Sequence, residues 1–208
     1  MPEPLHDERA PQSIVASDLA FDGMVWKVRR DRFVYGDAEI TREYIDHPGA
    51  VAVLALDDEG RVLLIKQYRH PIQARDWELP AGLLDLAGES PLLGAKRELA
   101  EEADLQASDW RLLCEFFTSP GGSNEAIRVY LAQGVTATVD AFARYDEEAD
   151  IEVRWVALGE VVDAVLARRI RNPILSMAAL AAHVAKVAGF DQLGDADQPW
   201  PWHPTLPA

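Results

Sequence analysis

Hydrophobic and polar positions along this chain fall into short runs punctuated by turn residues. The first segment, to about residue 18, is polar and proline-containing and reads as a mobile tail. "MVWKVRRDRFVY" and "AEITREYIDH" follow, rich in β-branched and aromatic residues and split by "GD", the pattern of a β-hairpin. In "GAVAVLALDDEGRVLLIKQYRH" two apolar strands flank "DDEG", which predicts a second hairpin. "DWELPAG" reads as a short strand ending at a Pro-Ala-Gly bend. "WRLLCEFFTSP" and "IRVYLAQGVTA" read as strands joined by the loop "PGGSNE", and "IEVRWVAL" as another after the acidic loop "ARYDEEAD". One helix is expected from Ser90, a good N-cap with Pro91 at the first helical position, to near Asp104. Two more are expected over Gly159–Arg169 and Ile174–Val187, before an aperiodic tail, "DQPWPWHPTLPA". Strands interleaved with a few helices, without an internal repeat, point to α/β or α+β layers around a mixed sheet.

The helix from Ser90 carries a charge pattern that its dipole does not favour. In "GESPLLGAKRELAEEADL", Glu89, Glu98, Glu101 and Glu102 surround Arg97, and three of the four acids sit in the last turns. Carboxylates are stabilised at the other end of a helix. Leu92, Ala95 and Leu99 form one apolar stripe. Glu98 and Glu102 are four apart and share a side, roughly 6 Å apart along the axis, while Glu101 points further round toward solvent. Arg97, four before Glu101, can hold it in an ion pair. Lys96 and Arg97 are both placed on other sides from the Glu98–Glu102 pair, which leaves a like-charge repeat uncompensated. Such a face is either simply solvated or the seat of a hard divalent cation, bound by carboxylates and substrate phosphates as Mg2+ is. Gly82 and Gly88 in the preceding loop let backbone approach a ligand closely.

Composition narrows the classes. The chain has 208 residues, 49% of them hydrophobic and 26% charged, enough for one domain with a proper core. A formal net charge of −15 argues against a nucleic-acid partner, whose backbone needs a basic patch. It leaves room for a small anionic substrate, because bound cations invert a local field. The single cysteine, Cys114, excludes an internal disulfide and reads as a core residue on a strand, in keeping with a reducing cytoplasm. The N-terminus lacks a signal-peptide core, and apolar runs such as "AVAVLAL" are too short to span a membrane, so the expectation is a soluble cytoplasmic protein. The five histidines lack metal-ligand spacing, and no Ser/His/Asp motif supports nucleophilic hydrolysis.

"GLLDLAGESPLLGAKRELAEEADL" resembles the Nudix box, the signature of a family that hydrolyses nucleoside diphosphates linked to another moiety. Glu89, seven residues, then Arg97-Glu98-Leu99-Ala100-Glu101-Glu102 match the pattern. Two positions depart from it. Six residues rather than five separate Gly82 from Glu89, and Asp104 stands where the family has a glycine that takes a left-handed conformation at the helix end. Asp tolerates that conformation better than most residues. "QYRH", "WELPAGLLD" and "SPGGSNE", with Pro120 fifteen residues beyond the box, are similar to the ADP-ribose pyrophosphatase branch.

That resemblance implies an α/β fold, a Nudix-type α/β/α sandwich with a mixed sheet, and an N-terminal hairpin used in homodimerisation. The domain expectation is a tail and hairpin over 1–46, a Nudix domain over 47–190 and a tail over 191–208. It also implies roles. Glu98 and Glu102 are the main Mg2+ ligands (Mn2+ being an alternative), with Glu101 and the Ala81 carbonyl as further metal contacts. Glu89 stabilises the helix entrance and Arg97 orients the glutamates. Arg69 binds the substrate's phosphates and Glu125 the hydroxyls of the terminal ribose. Leu83 and Trp26 line the substrate site, Trp26 as a candidate stacking surface for adenine or, equally, a hairpin core residue. Glu148, preferred over Glu147, is the loop carboxylate that takes a proton from or orients the attacking water. The implied reaction is hydrolysis of ADP-ribose to AMP and ribose 5-phosphate. The alternatives are another nucleoside diphosphate sugar such as GDP-mannose, or a non-catalytic ADP-ribose-binding module, which the intact Glu98, Glu101 and Glu102 oppose.

Overall fold

The computed structural model describes residues 4–139, 142 and 150–206. The chain divides into two units, Met1–His47 with Ser119–Asn124, and Pro48–Thr118 with Glu125–Ala208.

In the first unit, β1 (Ile14–Asp22), β2 (Lys27–Tyr35) and β3 (Ala38–Asp46) form an antiparallel sheet in that order. The expected hairpin is β2–β3, closed by two residues between Tyr35 and Ala38, with Gly36 at φ 60°. β1 corrects the reading of the first segment as a tail: it pairs with β2 from Ile14–Phe33 to Asp22–Lys27. Its apolar residues are too few to announce a strand alone, and the unpaired N–H and C=O groups along β2 supply the reason it forms. No strand residue of this sheet is buried, and Phe21 and Tyr35 are each 63% exposed. Ser119–Asn124 is tied in by backbone bonds of Ile45 with Gly122 and Asn124 and by the Asn124 side chain. The Asn124 carbonyl oxygen accepts from the His47 N–H at 2.7 Å, and its amide donates to Asp46 at 3.1 Å.

The second unit contains β4 (Ala50–Ala55), β5 (Arg61–Arg69), β6 (Ala74–Glu78), β7 (Ala81–Leu83), β8 (Leu105–Phe117), β9 (Ala126–Ala137), β10 (Glu152–Ala157) and β11 (Gly194–Asp195). Its helices are α1 (Pro91–Ala103), α2 (Leu158–Leu166) and α3 (Pro173–Val187). One sheet runs β11-β8-β9-β4-β7, mixed because β4 lies parallel to β9, and a second runs β10-β5-β6, antiparallel throughout. β4, "AVAVLA", is buried at all six positions, as a strand covered on both faces must be. Val51 and Val53 pack with Ala95 and Leu99 of α1; Ala52 and Leu54 share the opposite core with Leu158 and Val161 of α2 and Leu175, Ala178 and Ala182 of α3. The layers are therefore α/β/α.

The second expected hairpin needs correction. The turn forms: the Asp57 carboxylate accepts from the Glu59 and Arg61 N–H groups at 3.0 and 2.8 Å, and Gly60 takes φ 75°. Yet β4 and β5 enter different sheets and share only the Leu56–Val62 bridge. Local pattern dictates strands and turn; burial on both faces decides that β4 pairs with β7 and β9 instead. α1 forms as expected, with Ser90 Oγ accepting from the Leu93 N–H at 3.3 Å and Asp104 at φ 54°. Asp104 is more than a tolerated replacement, since its side chain also accepts from the Phe142 N–H at 2.7 Å.

The aperiodic tail is part of the core. Trp200 and His203 are buried, and Arg128 donates to the carbonyls of Gln198 and Pro199 at 2.9 and 3.1 Å while lying 4.6 Å over the Trp200 ring. Gly49, at φ 86°, has no room for a side chain because His203 fills the space.

Two outcomes follow from this packing. Leu99→Ala should cost about 2–5 kcal/mol of stability, measured by denaturant titration. Cys114 lies half-buried on β8, and burial pushes its thiol up to about 12, so it stays protonated at neutral pH. Its alkylation at pH 7.5 should be slow in the folded protein and fast in urea, read by mass spectrometry.

Candidate active site

β7 and α1 together bury two carboxylates. Glu98 is 9% exposed and Glu102 6%, on the side of α1 that meets β7. Gly82 makes room for this: a Cβ there would collide with the Glu98 carboxylate. Beside it, the Ala81 N–H donates to Glu102 Oε2 at 2.8 Å. Arg97 gathers the remaining acids. Its Nε and Nη2 donate to the two Glu89 oxygens, each at 3.0 Å, and its Nη1 donates to Glu98 and, at 3.0 Å, to Glu101. This corrects the placement of Arg97 on a different side from Glu98, because its long side chain curls back to the neighbouring residue. The bonds to Glu89, then the charges and bonds of Glu98 and Glu101, hold the Arg97 guanidinium above its ordinary value against the effect of burial. Glu101 points outward as expected, its side chain 42% exposed.

The donor set suits a hard cation. Three carboxylates, Glu89, Glu98 and Glu101, converge on one guanidinium, and Glu102 lies one turn beyond Glu98 on α1. All the donors are oxygens, the ligand type that Mg2+ and Mn2+ take. Among the described residues, no three Asp, Glu, His or Cys side chains converge as a ready cage, because Arg97 draws Glu98 and Glu101 to itself. A cation would be held by Glu98 and Glu102 with Glu101 alongside.

The other expected residues have definite surroundings. Arg69, at the end of β5, forms a two-pronged bond to Glu78, Nε to Oε1 at 2.8 Å and Nη2 to Oε2 at 2.7 Å. Glu78 is buried, and sequence reasoning did not single it out, although a lone acid in the apolar end of "DWELPAG" was the available signal. Glu125 accepts from the Thr118 hydroxyl across the ends of β8 and β9. Leu83 is half-buried and packs against the core on the face of β7 opposite Gly82. Trp26 belongs to the first unit, where it stacks on His47 with ring centroids 4.8 Å apart. Glu147 and Glu148 lie outside the described residues.

Residues 46–176 match the profile described as NUDIX domain. The chain belongs to the Nudix family. It is 43% identical to an ADP-ribose pyrophosphatase of Mycobacterium tuberculosis over 92% of both chains. It is 39% identical to an ADP-ribose pyrophosphatase of Bacillus subtilis over 62% of this chain and 69% of that one. A solved structure titled "Crystal structure of ADP compounds hydrolase" has the same fold, with TM-score 0.72 and 16% identity over 88% of this chain and 99% of that one. In this Nudix chain Gly82→Ala should leave the fold standing, at a cost of about 1–3 kcal/mol. It should also weaken Mn2+ binding about 10–100-fold by displacing Glu98, read by calorimetric titration.

Proposed function

We propose that this Nudix hydrolase cleaves the diphosphate of ADP-ribose to AMP and ribose 5-phosphate with Mg2+, Mn2+ serving as a substitute. The observation that carries this reading is the buried Glu98–Glu102 side of α1, organised by β7 and Arg97, in a chain 43% identical to an ADP-ribose pyrophosphatase over nearly its whole length. Glu98, Glu102, Glu101 and the Ala81 carbonyl hold the metal. Once bound, the cation screens the phosphate oxygens and lowers the pKa of water. Arg97 keeps Glu98 and Glu101 aimed from one side, and Glu89 fixes Arg97 in turn. Arg69 binds the diphosphate, Glu125 the terminal ribose hydroxyls, and Leu83 lines the substrate site; Trp26 is a candidate stacking surface for adenine. Glu148, rather than Glu147, orients the attacking water and takes its proton.

The partner reading is a second copy of the chain on the N-terminal sheet. That sheet buries none of its strand residues and leaves Ile14, Leu19, Phe21, Val34 and Tyr35 exposed, apolar surface of the kind a partner covers. No described helix is long and apolar enough to cross a membrane, and the single cysteine suits a reducing cytoplasm.

The test is product analysis on ADP-ribose, GDP-mannose, NADH and diadenosine polyphosphates, with Mg2+ and with EDTA. AMP and ribose 5-phosphate should appear fastest from ADP-ribose and disappear with EDTA; faster release from GDP-mannose would reassign the substrate. Glu102→Gln should keep the fold, and gain slight stability in EDTA because the like-charge pair is gone. Its turnover should fall more than about 100-fold, beyond the range typical of outer-shell partners. Near-wild-type turnover in that variant would remove Glu102 from the metal site.

A further inference from the structure

We propose that Glu78 is a positioning residue that presents the Arg69 guanidinium to the substrate's diphosphate. This rests on the reading of Arg69 as the phosphate-binding arginine and adds to it the group that aims it.

Glu78 closes β6, and its side chain is 6% exposed against 44% for Arg69, so the carboxylate is anchored inside and the guanidinium reaches out. β5 and β6 pair Ile65 with Glu78 and Arg69 with Ala74, so the bond runs diagonally along the sheet and draws Arg69 back along β6. The fork engages Nε and one Nη2 proton, fixing the plane of the guanidinium. The other three N–H groups lie outside the fork and keep a defined direction. An arginine this exposed samples many rotamers when untethered, and ordering it in advance removes an entropy loss from substrate binding. Gln67 also reaches Glu78, at 3.5 Å, on the same carboxylate oxygen that accepts from Nη2.

Glu78 also sits at a fixed point relative to the metal helix. Leu79 is 1% exposed, the Pro80 carbonyl accepts from the Val53 N–H at 2.9 Å, and the Ala81 N–H holds Glu102 at 2.8 Å. Four consecutive residues, Glu78 to Ala81, thus hold Arg69 at one end and Glu102 at the other. A diphosphate spanning arginine and metal needs that separation held constant. Asp76, on the same face of β6, is instead held by Asn172 at 3.3 Å, and burial raises its carboxyl above the usual range. It is thus not the residue that tethers Arg69.

The experiment compares Arg69→Lys, Glu78→Gln and the double variant by steady-state kinetics on ADP-ribose, by calorimetric binding of ADP-ribose in EDTA, and by thermal denaturation. Each single variant should raise KM and the EDTA Kd about tenfold, with kcat within about threefold. The double variant should bind no worse than the weaker single, because both remove one fork. If Arg69→Lys weakens binding and Glu78→Gln lowers only Tm, the positioning role is overturned and Arg69 keeps its phosphate role. If neither variant changes KM or Kd, the reading of Arg69 itself falls. Should Glu78→Gln fail to fold, Glu78→Asp, which keeps the charge but shortens the reach, must still raise KM for the proposal to stand.

Discussion

Glu98 and Glu102 are carboxylates held out of water, and the arrangement of β7, α1 and the loop between them follows from that constraint. An ionised carboxylate taken out of water loses roughly several kcal/mol of solvation unless partners replace it. Here the replacements are specific. Arg97 bonds Glu98, and the Ala81 amide bonds Glu102. Gly82 yields the space that Glu98 occupies. Only Gly82 admits no side chain in its place, and a loop one residue longer than the family pattern still delivers Ala81 and Gly82 to the helix.

The rest of the second unit holds that junction steady. β4 is buried on both faces and pairs with β7, so the strand that contacts the glutamates hangs on the most deeply buried strand of the sheet. α1 presses Ala95 and Leu99 onto one side of β4, and α2 and α3 cover the other. The C-terminal segment adds a further restraint: His203 packs against Gly49, immediately before β4, and Arg128 draws in Trp200. For the proposed metal site, rigidity in these elements matters because ligand oxygens displaced by about 1 Å would lose much of their effect.

Much of this was legible in the residues. The N-cap, first-turn proline and left-handed Asp104 delimited α1, since those signals act within a few residues of the chain. The i, i+4 spacing correctly put Glu98 and Glu102 on one side of α1 and Glu101 further round toward solvent, but it did not reveal that the pair is buried. Legibility failed where partners are distant in sequence. β1 lacked enough apolar residues to be seen without β2. Glu115 and Arg128 form an ion pair across β8 and β9, thirteen residues apart, and the tail's place over Arg128 has no periodic signal at all. Arg97 was misplaced for a different reason: a helical wheel locates Cβ atoms, whereas a long flexible side chain delivers its charge elsewhere.

By itself the sequence determined most of the elements from β2 to α3, their caps and turns, and the acidic helix with the chemistry its spacing admits, because hydrophobic period and capping are local properties. Only the tertiary structure decided that β4 and β5 part into different sheets, that one arginine binds three glutamates, and that buried Glu78 grips Arg69. Those are choices among partners, set by which groups burial forces together, and a linear pattern does not specify them.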